Sequence, residues 1–389
     1  MKKINFIFLI TLVLTVMSCQ QRGSKCLQYV FDGDNAIVSG IIPCPEDDST
    51  NIVIPEMVKQ DGRKYKVTKI GKRAFGGCRY ITSITIPSSV ISIDESAFGG
   101  CTGLTSITIP SSVINIGYGA FCDCSNLSSI TLPNSLTSIG ERAFLRCGSL
   151  SSITLPNSLT NIGNEAFWEC TSLASIIIPN SVKKIGGAAF FECSSLTSVT
   201  LQSSVIGHDA FFHCSSLSSI TLTDDVNEIE SGAFSWCNLK SIKIPSSVSY
   251  IGNAIFGLCT DLEIIEVDKN NTKYDSRDNC NAIIETATNT LINGCPKSTI
   301  PNTVTSIGRE AFQDCTNLSS IIIPNSVSSI GICAFTGCTN LRSITIPNTV
   351  TSIGIRVFEG CSNLTLKIPE KFREQEYLGV NDCKNVIYY

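Results

Sequence analysis

The sequence predicts an α/β solenoid: one stack of coils about 23 residues long, each contributing one short parallel strand. Three observations carry this. Phenylalanine recurs at Phe75, Phe98, Phe121, Phe144, Phe167, Phe190, Phe211, Phe234, Phe256, Phe312, Phe335 and Phe358, in steps of 23 residues five times, then 21, 23, 22, 56, and 23 twice. A cysteine follows each of these three residues later, from Cys78 to Cys361. Between them lies a strand-like run that ends in proline, as in "LTSITIP" at 104–110. A fixed period in this range marks stacked repeats. It overrides the two or three domains that a length of 389 residues would otherwise suggest.

The chain opens on "MKKINFIFLITLVLTVMSCQQ". Lys2 and Lys3 precede an uncharged, mostly apolar run from Ile4 to Met17. That run is too short to span a bilayer and suits the core of a secretory signal. Its end, "VMSC", resembles a bacterial lipobox, which makes residues 1–18 the signal peptide and Cys19 the lipidated mature N-terminus. Cleavage there removes Lys2 and Lys3 and no acid, so the formal charge of −4 falls by two. A mildly acidic chain without a basic run carries no electrostatic footprint for nucleic acid. The lipid is then the only expected membrane contact.

Residues 19–64 read as a tether and β cap, because "VFDGDNAIVSG", "NIVIP" and "DGRKYKVTKIG" alternate in polarity. Residues 65–368 are the solenoid. In its unit, Leu104, Ile107 and Ile109 are apolar while Ser106 and Thr108 are polar, the period of two of a strand. Pro110 cannot donate to a ladder and stops it, and the "SS" that follows is turn chemistry. Gly117 stands at the next bend, where a positive φ would call for glycine. The "AF" segment is expected to return the chain through a short helical or 3₁₀ turn. Residues 260–300 break the period and read as longer, hairpin-bearing coils. Residues 369–389 start with a short charged helical pattern and would close the far end.

The unit I-G-x-x-A-F-x-x-C-x-x-L-x-S-I-x-I-P resembles the leucine-rich repeat, and its A-F-x-x-C and I-x-I-P signatures resemble the BspA-like subclass of bacterial surface proteins. Twelve copies carry the likeness over residues 65 to 368. The resemblance implies a leucine-rich-repeat fold and adhesion to other cells or to host matrix proteins.

In an exported chain, regularly spaced cysteines would normally read as a disulfide framework. Stacking argues against it. In-register side chains sit about 4.8 Å apart, whereas a disulfide wants Cβ atoms about 3.8 Å apart. The expectation is a ladder of buried, reduced thiols. Cys26 and Cys44, off the ladder, are left as a candidate bridge.

No motif nominates an enzyme: there is no G-x-S-x-G, no phosphate-cradling glycine loop and no Cys–His pair with an orienting acid. His208 and His213, the only histidines, match no familiar ligand spacing with Asp209 and Cys214. The oxygen-rich "DKNNTKYDSRDN" at 268–279 lacks the central glycine and final glutamate of a calcium loop. No cofactor or metal is expected.

Surface columns remain. Ser106, Thr108 and their equivalents make a flat hydroxyl face, interrupted by Ile177, Lys243 and Ile322. The position after the repeat phenylalanine stacks Leu145, Trp168, Phe191 and Phe212 in four consecutive coils. The position after that carries Arg146, Glu169, Glu192, His213 and Trp236 and is expected to face solvent. An aromatic run beside such a column marks a partner surface, so Leu145, Trp168, Phe191, Phe212, His213 and Trp236 are the candidate binding residues. The alternative is that these rings fold over the edge of the core. The chain thus reads as a lipid-anchored, non-enzymatic protein of the bacterial cell envelope, at the outer membrane or cell surface. Its expected partner is an extracellular protein or glycan. The rival reading is a structural scaffold facing the periplasm.

Overall fold

The computed structural model describes residues 16–17, 26–42 and 50–389. Cys19 and Cys44 lie outside these residues, and with them the expected lipidation and the candidate bridge. Successive coils stack in parallel register, with Ser106, Ile107 and Thr108 facing Ser129, Ile130 and Thr131. Ile107 points inward and is buried, while Ser106 and Thr108 are exposed. The expected alternation therefore holds.

Coils such as the one holding Ser106–Thr108 and Asn115–Ile116 contribute two strands, not the single one expected. The second is the two-residue segment before the repeat glycine. Asn115–Ile116 pairs in parallel with Ser92–Ile93 on one side and Ser138–Ile139 on the other. This ladder runs unbroken from Arg63–Ile70 to Tyr250–Ile251. Two residues are too short to show a period, so the sequence pattern does not reveal them.

The return limb also differs from the α/β expectation. Among the described residues there is no α-helix, only the 3₁₀ segments Arg277–Asn279, Glu370–Phe372 and Val380–Asp382. The "AF" segment is instead a pair of turns closed by three-residue hydrogen bonds, Ala97 N to Asp94 O at 3.2 Å and Cys101 N to Phe98 O at 3.1 Å. Left-handed residues flank each repeat phenylalanine two positions before and two after, as Arg142 and Arg146 (φ 57° each) do around Phe144. A left-handed residue cannot continue an α-helix. Helical propensity loses here because the phenylalanine N–H is taken by the next coil, Phe121 N to Ala143 O at 2.8 Å.

Gly117 does not have the positive φ expected of it. Its role is close approach between coils. A Cβ on Gly140, its counterpart one coil on, would lie 2.7 Å from the carbonyl carbon and oxygen of Gly117. The glycine column lets adjacent backbones touch.

The core is a set of columns. Phenylalanine rings from Phe75 to Phe211 stack with centroids 5.1 to 5.4 Å apart and planes within 12°. Toward the insert the spacing opens, reaching 6.4 Å between Phe234 and Phe256. The insert is a hairpin, Ala282–Glu285 against Thr290–Gly294, that replaces the return limb of one coil. Gly294 N donates to Ala311 O at 2.8 Å, the bond a repeat phenylalanine makes elsewhere. The ring of Phe312 fills the space where a Gly294 side chain would stand. Buried Asn293 completes the join, donating to Gly252 O at 3.0 Å and accepting from Ile255 N at 3.0 Å. With that limb missing, the turn after Phe256 meets the turn after Phe312 directly, Leu258 N to Asp314 O at 3.2 Å.

At the N-terminal side Cys26–Asp32 and Asn35–Ile42 form a hairpin, and Asn35–Ile42 pairs in parallel with Arg63–Ile70. The tail shows no helix beyond its two 3₁₀ turns. Asn385–Tyr388 adds in parallel to Thr365–Ile368.

Candidate binding surface

The return turns place the candidate residues on one edge of the stack. Backbone bonds set their spacing: Arg146 N to Trp168 O at 2.7 Å, Glu169 N to Phe191 O at 2.8 Å, and Glu192 N to Phe212 O at 2.9 Å. The residue after each phenylalanine thus stands directly over its counterpart one coil away. Leu145, Trp168, Phe191 and Phe212 are all half-buried, while the phenylalanine before each is fully buried.

The rings touch. Trp168 and Phe191 lie 4.4 Å apart between centroids at 30°, and Phe191 and Phe212 lie 4.8 Å apart at 11°. Trp236 belongs to the next column, yet it leans across to Phe212 at 6.4 Å and meets His213 edge-on at 5.0 Å. Trp168, Phe191, Phe212, Trp236 and His213 therefore form one aromatic ladder. Leu145 precedes it in the same column without a ring of its own.

Charges flank the ladder. Arg146 lies between Asp123 (3.8 Å) and Glu169 (3.4 Å), and Glu169 also accepts the indole N–H of Trp168 at 3.0 Å. His213 Nδ1 is 3.5 Å from Glu192. These pairs are partly exposed and contribute little to stability, but they hold the rings upright at the edge. His208 lies 3.7 Å from Glu230, well away from any ligand set. Among the described residues no group of three or more His, Cys, Asp or Glu is placed to hold a metal ion. In the 268–279 loop two of the three carboxylates are already engaged, Asp275 by Arg277 at 2.6 Å and Asp268 by Lys243 at 3.3 Å.

The ladder stops where its column shrinks to Ser235 and Gly257. A trough of about 400 Å³ opens there, with Phe212 and Trp236 at one side and Glu310, Gln313 and Asp314 of the coil beyond the insert at the other. Burial raises the carboxyl pKa of both Asp209 and Asp314 above the ordinary value. The sequence pattern does not place Phe212 and Gln313 on one trough, since about 100 residues separate them and the insert coil lacks its return limb. The one signal is the 56-residue step between Phe256 and Phe312.

The opposite, strand-bearing face carries the Ser and Thr columns, with Ile177 (70% exposed) and Ile322 (83% exposed) standing out as the sequence placed them.

A repeat of this geometry has known counterparts. The profile of the BspA type leucine-rich repeat region (6 copies) matches residues 68–197, 184–293 and 292–386. No curated protein matches the chain. Among solved structures, a leucine-rich repeat protein from Bacteroides ovatus is 30% identical, with a TM-score of 0.69 over 95% of this chain and 100% of that one. A leucine rich cell surface protein from Faecalibacterium prausnitzii is 28% identical, with a TM-score of 0.56 over 95% of this chain and 94% of that one. The coils, their period and these matches agree, and the chain belongs to the BspA type leucine-rich repeat proteins.

Proposed function

We propose that this is a lipid-anchored binding protein of the bacterial cell surface, held through Cys19 and adhesin-like in action, which engages protein or glycan partners, host matrix proteins among them. The observation that carries the reading is the aromatic ladder from Trp168 to Trp236, whose rings stack on one another at the edge of the solenoid without entering its core. Aromatic side chains displaying large area at small entropic cost are the usual anchors of interfaces. The family and the cell-surface description of the F. prausnitzii relative support the location.

A second reading, a scaffold facing the periplasm, is favoured by one feature. The segment "CQQRGSK" carries none of the acidic residues often found after the lipidated cysteine of surface-exported lipoproteins. Protease shaving of intact cells separates the two. Digestion of the solenoid with the envelope intact supports surface display. Protection until lysis supports the scaffold.

A further inference from the structure

We infer that the aromatic ladder seats a basic amphipathic helix of a partner protein, laid along the axis of the stack, and is not a glycan site. The inference deepens the reading of the ladder as a partner surface and rests on it.

The rings decide against sugar. A sugar ring packs on the face of an aromatic side chain, where the π density lies. Here the faces are spent on one another, Trp168 against Phe191 at 4.4 Å and Phe191 against Phe212 at 4.8 Å. Leu145 stands next in the column on the other side of Trp168. What the stack turns outward is ring edge. The indole N–H of Trp168 is already given to Glu169, and Arg146 is held between Asp123 and Glu169. The directional donors that sugar hydroxyls would need are thus taken. A stripe of ring edges still offers apolar area, which aliphatic side chains gain by covering.

Charge sets the rim of the occupant. The return turns of Trp168, Phe191 and Phe212, at 164–169, 187–192 and 208–213, carry Glu165, Glu169, Glu192 and Asp209 but no lysine or arginine. These acids lie on both sides of the rings. The column of Glu165 and Asp209 borders the ring column, since a Cβ on Gly99 would lie 3.4 Å from Ser96, their counterpart in an earlier coil. The column of Glu169 and Glu192 borders it on the other side, as the lean of Trp236 to Phe212 shows. Arg142 and Arg146 of the coil before answer Glu165 and Glu169. Glu192 and Asp209 are left without a lysine or arginine partner among the described residues. An apolar stripe with acid on both rims matches a helix whose apolar face is bordered by lysine or arginine stems. The same rims repel an anionic lipid surface.

Pitch selects helix over strand. Coils stack at about 4.8 Å, a helix advances about 5.4 Å per turn, and same-face residues of a strand advance about 6.7 Å. Over the three steps from Leu145 to Phe212, a helix runs about 2 Å ahead of the rungs and a strand about 6 Å. A helix therefore keeps one apolar residue on each rung, and a strand does not.

The two tryptophans both lie in the ladder, so the protein reports on its own surface. In a Trp236→Phe background of the chain from residue 20 onward, Trp168 is the sole emitter. It is titrated with an end-blocked leucine–lysine peptide of helical period, about 14 residues long so that it covers the ladder at about 1.5 Å per residue. The comparisons are a peptide of the same composition in strict alternation, a leucine–glutamate peptide of helical period, and neutral β-linked oligosaccharides. The expected result is a saturable blue shift with the helical leucine–lysine peptide. Binding should be at least tenfold weaker for the other two peptides, absent for the oligosaccharides, and at least tenfold weaker in Phe191→Ala. The peptide comparisons on the unaltered ladder keep the test decisive should Phe191→Ala fail to fold. No response to the helical leucine–lysine peptide, or an equal response to either other peptide, overturns the inference. A response to oligosaccharide alone overturns it in favour of a glycan site. Adhesion to matrix proteins that is lost in Trp168→Ala/Phe191→Ala, without any peptide response, would sink the helix and leave the ladder a partner surface. A peptide response together with protease protection on cells would sink surface display and leave the helix site standing.

Discussion

The thiol of Cys147 donates to the carbonyl oxygen of Phe121 in the preceding coil across 3.2 Å, and the same oxygen accepts the backbone N–H of Cys124, also at 3.2 Å. The relationship repeats along the stack, with Cys101 to Phe75, Cys237 to Phe211 and Cys361 to Phe335 at 3.1 Å each. The ladder cysteines are buried and free, and those from Cys101 onward tie their coil to the one before. This is why one fixed site keeps a cysteine: it fills a small apolar space and still has a weak donor to offer a carbonyl. A thiol count on the denatured chain without reductant should return at least seventeen thiols, the twelve ladder cysteines together with Cys122, Cys280, Cys295, Cys333 and Cys383. Cys147→Ala should lower the unfolding free energy by about 1–2 kcal/mol, from lost packing and the lost sulfur contact.

The same burial predicts a steep alkaline limit. Burial raises the ladder thiols from Cys101 onward above their ordinary value of 9.0, to about 12 for Cys101, Cys170, Cys259 and Cys361. The folded chain therefore keeps protons that the unfolded chain releases. Stability is fully present below pH 9 and is lost as the pH rises through the folded values. Each thiol removes about 1.4 kcal/mol per pH unit in that window. Thermal melts from pH 7 to pH 11 should be flat to about 9 and then fall sharply. A flat profile to pH 11 would mean that the thiols are not buried as a set.

Two glycines test two different backbone demands. Gly100 has φ 73° and room for a Cβ, and its counterparts one and two coils on are Asp123 and Arg146 with the same left-handed φ. Gly100→Ala should cost only about 1 kcal/mol. Gly140 has ordinary φ but no room, so Gly140→Ala should push two coils apart at a cost of about 3 kcal/mol or more. Urea titration of both variants measures the difference, and equal costs would contradict the close-approach role.

Phe167 and Trp168 are adjacent in sequence and opposite in surroundings. Phe167 is fully buried between Phe144 and Phe190, while Trp168 stands half-buried on the edge. Phe167→Ala should cost about 3–5 kcal/mol, as large core truncations do. Trp168→Ala should cost about 1 kcal/mol, since only part of its area leaves water. A Trp168→Ala loss as large as that of Phe167→Ala would make the ladder an extension of the core.

Much of this was legible because a solenoid repeats its own evidence. Phe98, Cys101, Ile107 and Pro110 recur in place, so the period, the first strand and the buried thiols followed from spacing alone. The second strand did not, because Asn115–Ile116 is too short to alternate. The turns did not, because Arg142 and Arg146 carry no mark of a left-handed backbone that most sequences assign to glycine or asparagine. Leu145, Trp168, Phe191 and Phe212 were readable as one column, and Trp236 joined them through a lean between columns that only packing produces. The coil of Phe312 meets the coil of Phe256 through Asn293 and Gly294, two residues that replace a whole turn, and no local pattern announces such a deletion.

The most direct test of the central claim is adhesion of protein-coated beads to immobilised extracellular-matrix proteins, measured alongside melting temperature. The comparison is between the unaltered chain and the Trp168→Ala/Phe191→Ala variant. If the ladder is the working surface, adhesion falls at least tenfold while the melting temperature drops by only a few degrees. Unchanged adhesion, or adhesion lost only in step with folding, would contradict it.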